Sequence, residues 1–444
     1  MNSRPRIVIL GAGPAGAAVA IGLKRLGENP LVIGEPRRFA AVEGVSARVV
    51  EGLRSAGFER ALEVLAPDSP RCVLWNGVLS QANTERLIDR QRFDVALLED
   101  LERQGIEVWR GRVVAQAADG AGHRLEVVCD GAHRRVDADF LVEARGRAAP
   151  AGGRSRLRGA ETVSILQYWQ GPPGQAQSAV QSCADGWAWM GRLDDGRRYL
   201  QLTLDSASAR LPPKRALGAF CQARFAAMEI APPFIEGAQT VGAPHARAST
   251  PVLGDVVAGD TMVRVGDAAM AVDPLSGNGI FQALSSALQA PAVIATLLYD
   301  PARAALAKQF HQQRVEGLFH RFARIGRDFY AQESRWPDVP FWSARRAWPD
   351  AQPAHAEVAH ECVSIRRMPV VDGGRIVAQD VVVTPDQPLG IWRMDGIEIA
   401  PLLRAVRACA APADVEDAVA ARLGGDIALA RRIVGWMRVR HWID

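Results

Sequence analysis

An α/β fold is predicted by three observations. The apolar run Arg6-Ile7-Val8-Ile9-Leu10 opens directly onto Gly11-Ala12-Gly13-Pro14-Ala15-Gly16 and a small-residue helical pattern over 14–26. A second glycine-rich stretch, Gly266-Asp267-Ala268-Ala269 running into Asp273-Pro274-Leu275-Ser276-Gly277-Asn278-Gly279, follows a strand-like run over 260–265 and precedes an apolar helical pattern over 280–298. Between them, residues 162–204 alternate apolar and polar side chains in short segments, with turns at Gly171-Pro172-Pro173-Gly174 and Asp194-Asp195-Gly196. Strand, glycine turn and helix in that order indicate a parallel sheet, whereas the alternation indicates an antiparallel one.

The first stretch is a Rossmann-type dinucleotide fingerprint in its required context. Gly11 permits the tight turn, Gly13 lets a pyrophosphate approach the backbone, and Gly16, beside Ala15, lets the helix pack close to the strand. A second apolar run, 30–34, ends in Glu35, about 20 residues past the glycines, where a carboxylate accepts ribose hydroxyls. The second stretch aims backbone amides and a helix start at an electron-rich group. Alone, it also fits an ordinary strand-to-helix turn.

Paired with the N-terminal fingerprint, it resembles the ribityl-binding motif of FAD-dependent monooxygenases of the glutathione-reductase-like class, which holds the aromatic hydroxylases and the flavin-dependent tryptophan halogenases. The resemblance implies that Gly266 and Asp267 hold the ribityl chain and that Pro274, Gly277, Asn278 and Gly279 lie beside the isoalloxazine ring. Asp89-Arg90-Gln91-Arg92-Phe93-Asp94 looks like the family's Arg-x-x-Phe-Asp segment, which makes Arg90 a cofactor contact; a solvated helix face is the alternative. Residues 138–147 look like the strand and turn that end the nucleotide-binding core. The likeness covers about 5–330.

Size and composition fit this reading. A chain of 444 residues is expected to hold two or three domains. Hydrophobic residues at 48% and charged residues at 23% are ordinary for a globular protein. The 53 basic against 49 acidic residues leave a net charge of +4 scattered along the chain, so neither nucleic-acid binding nor extensive disorder is expected. Arginine-rich stretches such as 154–158 read as solvated loops. Six cysteines without CxxC spacing indicate neither a zinc site nor a disulfide framework. No metal site is expected. No run of membrane length is apparent, and the chain reads as soluble and cytoplasmic, with no membrane partner.

The predicted division is an FAD-binding domain over 1–160 and 240–335, a substrate-side β-sheet domain over 161–239 with a helix near 213–228, a Trp/Pro-rich linker outside regular structure over 336–359, and a small C-terminal α+β domain over 360–444. The last has a hairpin around Asp372-Gly373-Gly374 and helical patterns over 397–409, 413–423 and 427–440. In outline it looks like a winged-helix module of the kind that presents precursor peptides to modifying enzymes, or alternatively a dimerisation or lid domain.

The family's chemistry, as the resemblance implies it, is attack of a flavin C4a-hydroperoxide on an electron-rich acceptor, with dioxygen as co-substrate and reduced flavin or NAD(P)H as electron source. Trp187 and Trp189 are the aromatic candidates for the pocket wall, because a spacing of two puts both rings on one face of a strand; a sheet-core role is equally compatible. His245 is the candidate titratable group, though a lone histidine is commonly structural. Their stretch resembles the Trp-x-Trp-x-Ile-Pro signature of halogenases, but Met190-Gly191 stands where Ile-Pro belongs. Those halogenases also need a lysine between the fingerprint and the substrate sheet, and this chain has none between Lys24 and Lys214. Arginine, always protonated and a poor nucleophile, is no replacement. Arg145-Gly146 stands where the hydroxylases have an Asp-Gly motif serving both FAD and NADPH, so delivery of reduced flavin, or of electrons from a separate flavin reductase, fits, with a transient NAD(P)H contact as the alternative. The reading is therefore hydroxylation of an aromatic substrate, a tryptophan within a peptide or protein, as in tryptophylquinone biogenesis. The alternatives are a halogenase, a prenyl-chain reductase, or a flavin-bound scaffold that binds a peptide without turnover.

Overall fold

A computed structural model describes residues 4–37, 39–118, 120, 122–150, 156–277 and 279–443. They fall into two compact units: Met1–Pro291 with Leu318–Gln352, and Ala292–Gly317 with Pro353–Asp444.

The first unit is organised by two sheets. A five-stranded, wholly parallel sheet has the order Met262–Arg264, Phe140–Glu143, Ile7–Leu10, Leu31–Ile33, Glu107–Trp109. Ile7–Leu10 is an unbroken apolar run and Phe140–Glu143 is apolar up to its final residue, because both faces are covered. Helices Pro14–Arg25 and Gly279–Ala287 pack together within this unit. On the other face, a three-stranded sheet of Gly111–Ala118, His123–Cys129 and Ala132–Ala138 sends Leu125, Val127 and Val136 against Val8, Leu10 and Leu31. The chain goes from Ile7–Leu10 to the neighbour on one side first and reaches the neighbour on the other side only at Phe140. That reversal leaves a crevice at the carboxyl ends of the strands, where nucleotides bind in such sheets.

The second sheet has eight strands, in the order Gln239–Ala248, Thr162–Gln170, Arg197–Asp205, Gly186–Arg192, Gln177–Cys183, Asp68–Trp75, Val78–Asp89, Val42–Val45. Residues 42–45, 68–75, 78–89 and 240–248, which the sequence division counted with the nucleotide-binding part, belong to strands of this sheet. Val78–Asp89 reads Val-Leu-Ser-Gln-Ala-Asn-Thr-Glu-Arg-Leu-Ile-Asp, too polar to show an alternating pattern. One face carries Ala188, Met190, Leu200, Leu202 and Leu204 against Cys221 and Phe225 of helix Leu217–Ala226. The opposite face carries Trp187 and Trp189, so the spacing of two does put both rings on one side.

Two expectations are corrected here. The Trp/Pro-rich stretch contains a helix, Pro340–Arg346, with Phe341 and Trp342 wholly buried. The Trp342 indole N–H donates to the carbonyls of Cys183 and Ala184 at 3.2 and 3.0 Å. Seven residues are too few to show helical periodicity, and burial of the aromatic rings is what organises them. The apolar helix expected over 280–298 is two helices, Gly279–Ala287 and Ala290–Tyr299, because Pro291 has no amide to continue the first.

The second unit contains the predicted hairpin, Ser364–Asp372 and Arg375–Thr384, extended by Gln387–Ile391, and three helices, Ile399–Arg407, Val415–Arg422 and Ile427–Val439. Its core is Val382, Leu402, Leu403, Val419, Ile433, Met437 and Trp442. The Ile376 amide donates to Thr296 Oγ1 at 2.8 Å, which ties 292–317 into this unit.

Helix Arg90–Arg103 begins at Asp89, whose carboxylate accepts from the amides of Gln91 and Arg92 and also pairs with Arg197. Asp89→Ala removes the cap and the ion pair together and is expected to lower the unfolding free energy by about 1–2 kcal/mol. Chemical denaturation with an unchanged midpoint would show that the cap is not used.

Candidate active site

The two glycine-rich stretches meet at the end of strand Ile7–Leu10. A Cβ on Gly266 would lie 2.8 Å from that of Ala15. Gly11 has φ +107, and a Cβ there would lie 2.4 Å from the Ala144 carbonyl oxygen; one on Gly16 would lie 1.9 Å from that of Gly11. Both are required by packing. Gly13 is different, since a Cβ there would meet nothing within 4 Å. It caps helix Pro14–Arg25 with no side-chain acceptor and no acidic residue in the first turn. The positive end of that helix therefore points into open space, as a pyrophosphate site requires. Glu35 lies just beyond the end of strand Leu31–Ile33, exposed at the same edge.

Asp267 sits in the turn after Met262–Arg264, with Arg147 Nε 3.6 Å from its carboxylate. Burial raises the Asp267 carboxyl above the usual range, with Arg147 opposing. The Gly266 amide donates to Ser286 Oγ at 2.9 Å, which ties this turn to the following helix. Pro274–Ser276 is one turn of 3₁₀ helix, and Gly277 and Gly279 face open space. Asn278 lies outside the described residues.

Arg90 does not lie on a solvated helix face. Its side chain is 7% exposed, with Nη1 donating to both Glu43 oxygens at 3.0 and 3.1 Å and Nε and Nη2 to Asp94 at 3.1 and 2.8 Å. Arg37 adds a second cation, 3.7 Å from Asp94. Burial alone would raise the Glu43 carboxyl, but Arg90 and Arg37 outweigh it and hold it below its ordinary value. Glu43 and Arg37 were not singled out in the sequence. Their charges converge only once the strand Val42–Val45 lies beside Val78–Asp89.

The Trp187 indole N–H donates to the Tyr330 hydroxyl at 3.2 Å. That hydroxyl donates to Asp273 Oδ1 at 3.0 Å, and the same carboxylate accepts the Leu275 amide at 2.9 Å. The structure thus links Trp187 to the Pro274 turn through Tyr330, a residue carried in the long helix Ala304–Gln332 that no local pattern marks. Trp189 lies edge-on to Tyr199, ring centroids 6.2 Å apart. His245 is on the strand Gln239–Ala248, 6.3 Å from the Phe39 ring, and lines a cavity of about 190 Å³ with Phe39, Leu166, Tyr199 and Arg247. Trp187 and His245 therefore belong to different parts of the sheet face, with Trp189 packed beside Tyr199 and Leu166 as well as Trp187. Among the described residues no cluster of three metal-ligating side chains occurs.

Known proteins match this arrangement. The model of the FAD binding domain family matches residues 4–170. A solved structure described as the peptidyl tryptophan dihydroxylase QhpG, essential for tryptophylquinone cofactor biogenesis, is 50% identical, with 100% of both chains covered and a TM-score of 0.86. The flavin-dependent halogenase CmlS is 17% identical over 99% of this chain and 96% of its own, at a TM-score of 0.76, a likeness of fold. The tryptophan 2-halogenase of Chondromyces crocatus is 24% identical over 401 residues, 84% of this chain and 74% of its own. FAD is the cofactor.

Gly13 and Gly16 separate binding from packing. Gly13→Asp is expected to leave thermal stability near that of the wild type while lowering FAD occupancy at least about tenfold, because it places a charge in the open site at no steric cost to the protein. Gly16→Ala should lower the melting temperature whether or not FAD is present. Equal flavin absorbance in purified wild type and Gly13→Asp would sink the assignment.

Proposed function

Since the chain belongs to the FAD-dependent monooxygenases, we propose that it hydroxylates a tryptophan held within a peptide or protein, as a step in tryptophylquinone biogenesis. The observation that carries this is the 50% identity to the peptidyl tryptophan dihydroxylase along the entire length, C-terminal unit included. Bound FAD supplies oxygen activation. The chain's own residues have four tasks in this reading.

The first is holding the cofactor. Gly11, Gly13, Ala15 and Gly16 shape the pyrophosphate site, Glu35 meets the ribose, and Gly266 and Asp267 meet the ribityl chain. The Arg90, Glu43 and Asp94 cluster keeps the strand Val42–Val45 and helix Arg90–Arg103 in register at the site edge. The second task is charge. The start of helix Gly279–Ala287 directs its dipole at the ring edge and favours negative charge there. Pro274 and Gly277 lie in the turn that precedes that helix.

The third task is to admit an aromatic ring and keep water out. Phe39, Leu166, Tyr199 and Trp189 supply the apolar wall, and Trp187 backs the Pro274 turn. The fourth is proton removal. Oxygen transfer to an aromatic carbon leaves that carbon with a hydrogen that must depart as a proton, and His245 is the titratable side chain in the cavity that can take it.

Halogenation is disfavoured by the absence of lysine between Lys24 and Lys214. Arg145, at the place of the hydroxylases' NADPH-serving Asp, donates through its backbone and Nε to the buried Glu143 at 3.1 and 2.9 Å and so closes the strand end. Electrons then come from a separate reductase. The unit that includes 360–444 docks the protein substrate. A cytoplasmic location suits the reduced cysteines, none of which is paired. Contrary to the reading of the sequence, one stretch does have the length and hydropathy of a membrane span, Gly279–Tyr299, but 67% of it is buried inside the protein.

Aerobic incubation with reduced FAD and a tryptophan-containing peptide or protein in chloride buffer should raise the substrate mass by whole oxygen atoms and add no chlorine. Free tryptophan should turn over at least about tenfold more slowly, since it lacks the remote contacts that position the ring. Chlorinated product, or equal rates for free tryptophan and peptide, would overturn the reaction or the substrate class respectively.

A further inference from the structure

Asp273 is a buried carboxylate whose surroundings are unusually definite in direction. Indole N–H can only donate, so the Tyr330 oxygen must accept from Trp187. The phenolic hydrogen is then directed at Asp273 Oδ1, 3.0 Å away. A second donor, the Leu275 amide, fixes the same carboxylate against the turn it caps. A cavity of about 20 Å³, room for about one water, lies beside it, lined by Asp273, Tyr330, Arg327, Arg345 and Trp348 among others. The buried Nε of Arg345 has no partner among the described residues and belongs to this same lining.

We propose that Tyr330 is a positioning residue that sets the protonation of Asp273, and through it the charge standing behind the Pro274–Ser276 turn. This rests on the reading that the turn faces the flavin ring. Burial pushes the Asp273 carboxyl up; the Leu275 amide, Arg345, the Tyr330 hydroxyl and Arg147 pull it down. Of these donors and cations, Tyr330 is the one also held by Trp187 of the substrate-side sheet. A shift of the strand Gly186–Arg192 by a bound substrate would thus be felt at the carboxylate. Ionised, Asp273 places a negative charge behind the turn; protonated, it leaves the helix start of Gly279–Ala287 unopposed in stabilising an anion.

The test is a pH titration of the FAD-loaded full-length protein between about pH 4 and 9. The visible band of the oxidised flavin, which takes up no proton itself in that range, reports charge near the ring. The infrared carbonyl band of a protonated carboxyl reports Asp273 directly. Removing a hydrogen bond to the charged form raises the pH of proton uptake, so Tyr330→Phe should move the midpoint up by about 1 pH unit or more. Trp187→Phe, which only weakens the phenol as a donor, should move it in the same direction by less. Asp273→Asn should abolish the titration in both signals. A purely structural Tyr330 would lower the melting temperature and leave the midpoint in place; an unchanged midpoint in Tyr330→Phe, or a titration that survives Asp273→Asn, overturns the proposal. If Tyr330→Phe does not fold, Trp187→Phe decides in the same way. The infrared band is also read without FAD, so failure of flavin binding, which would overturn the site reading, still leaves Asp273 measured.

Discussion

The first unit depends on the missing side chains around the end of strand Ile7–Leu10. Gly16 lies against the backbone of Gly11, Gly11 against Ala144, Gly34 against Ala12, and Gly266 against Ala15. All but the first join segments distant in sequence, and each approach is closer than any Cβ allows. Backbone, which Gly11, Gly16 and Gly34 meet, and the Ala15 methyl, which Gly266 meets, cannot step aside as the end of a flexible side chain can, so a methyl group at these positions forces strands and helices apart. The crevice at that strand end exists because helix Pro14–Arg25 and the 266–268 turn can both come this near to it.

A second constraint acts at the edge of that crevice, and it is electrostatic. Arg90 is almost wholly buried, and an unpaired guanidinium there would be strongly destabilising. Glu43 and Asp94 offset that cost with near-ideal hydrogen bonds, at 2.8–3.1 Å. A hydrophobic trio of similar volume could pack as well. What the charged trio adds is direction, since Glu43 comes from one strand and Asp94 from the helix that Asp89 caps, and only one register satisfies all the donors. The electrostatic cluster thus does for the large sheet what the glycines do for the parallel one.

The parts of the fold legible in the sequence are those with a local signature. Strand Ile7–Leu10 with its glycines, helix Arg90–Arg103 with Asp89 before it, the strands within 162–204 and the C-terminal hairpin and helices all carry one. The strands Val42–Val45, Asp68–Trp75 and Gln239–Ala248 do not, because their residues are selected by neighbours far away in the chain. Helix Pro340–Arg346 is hidden for a similar reason. The candidate site divides the same way: the glycines and Asp267 are visible as motifs, whereas Glu43, Arg147 and Tyr330 acquire meaning only when three-dimensional packing brings a partner to each. His245 was visible only as a residue type, and its cavity neighbours Phe39 and Tyr199 both come from segments more than forty residues earlier in the chain.

The scaffold itself does not choose the reaction. A halogenase 17% identical shares the fold along nearly the full length, so sheets, crevice and glycine turns are common property. The choice must lie in a few side chains near the reacting atoms. An activated halogen has to be carried by a nucleophile that can lose a proton, and the stretch from 25 to 213 offers arginines but no lysine. Transfer of oxygen to an electron-rich ring needs no such carrier. It needs a dry, apolar wall, a place for the departing proton and a controlled charge at the ring edge. On the proposed reading, those needs fall in turn to the cavity around Phe39, Leu166 and Tyr199, to the imidazole of His245, and to the buried Asp273 carboxylate held by Tyr330.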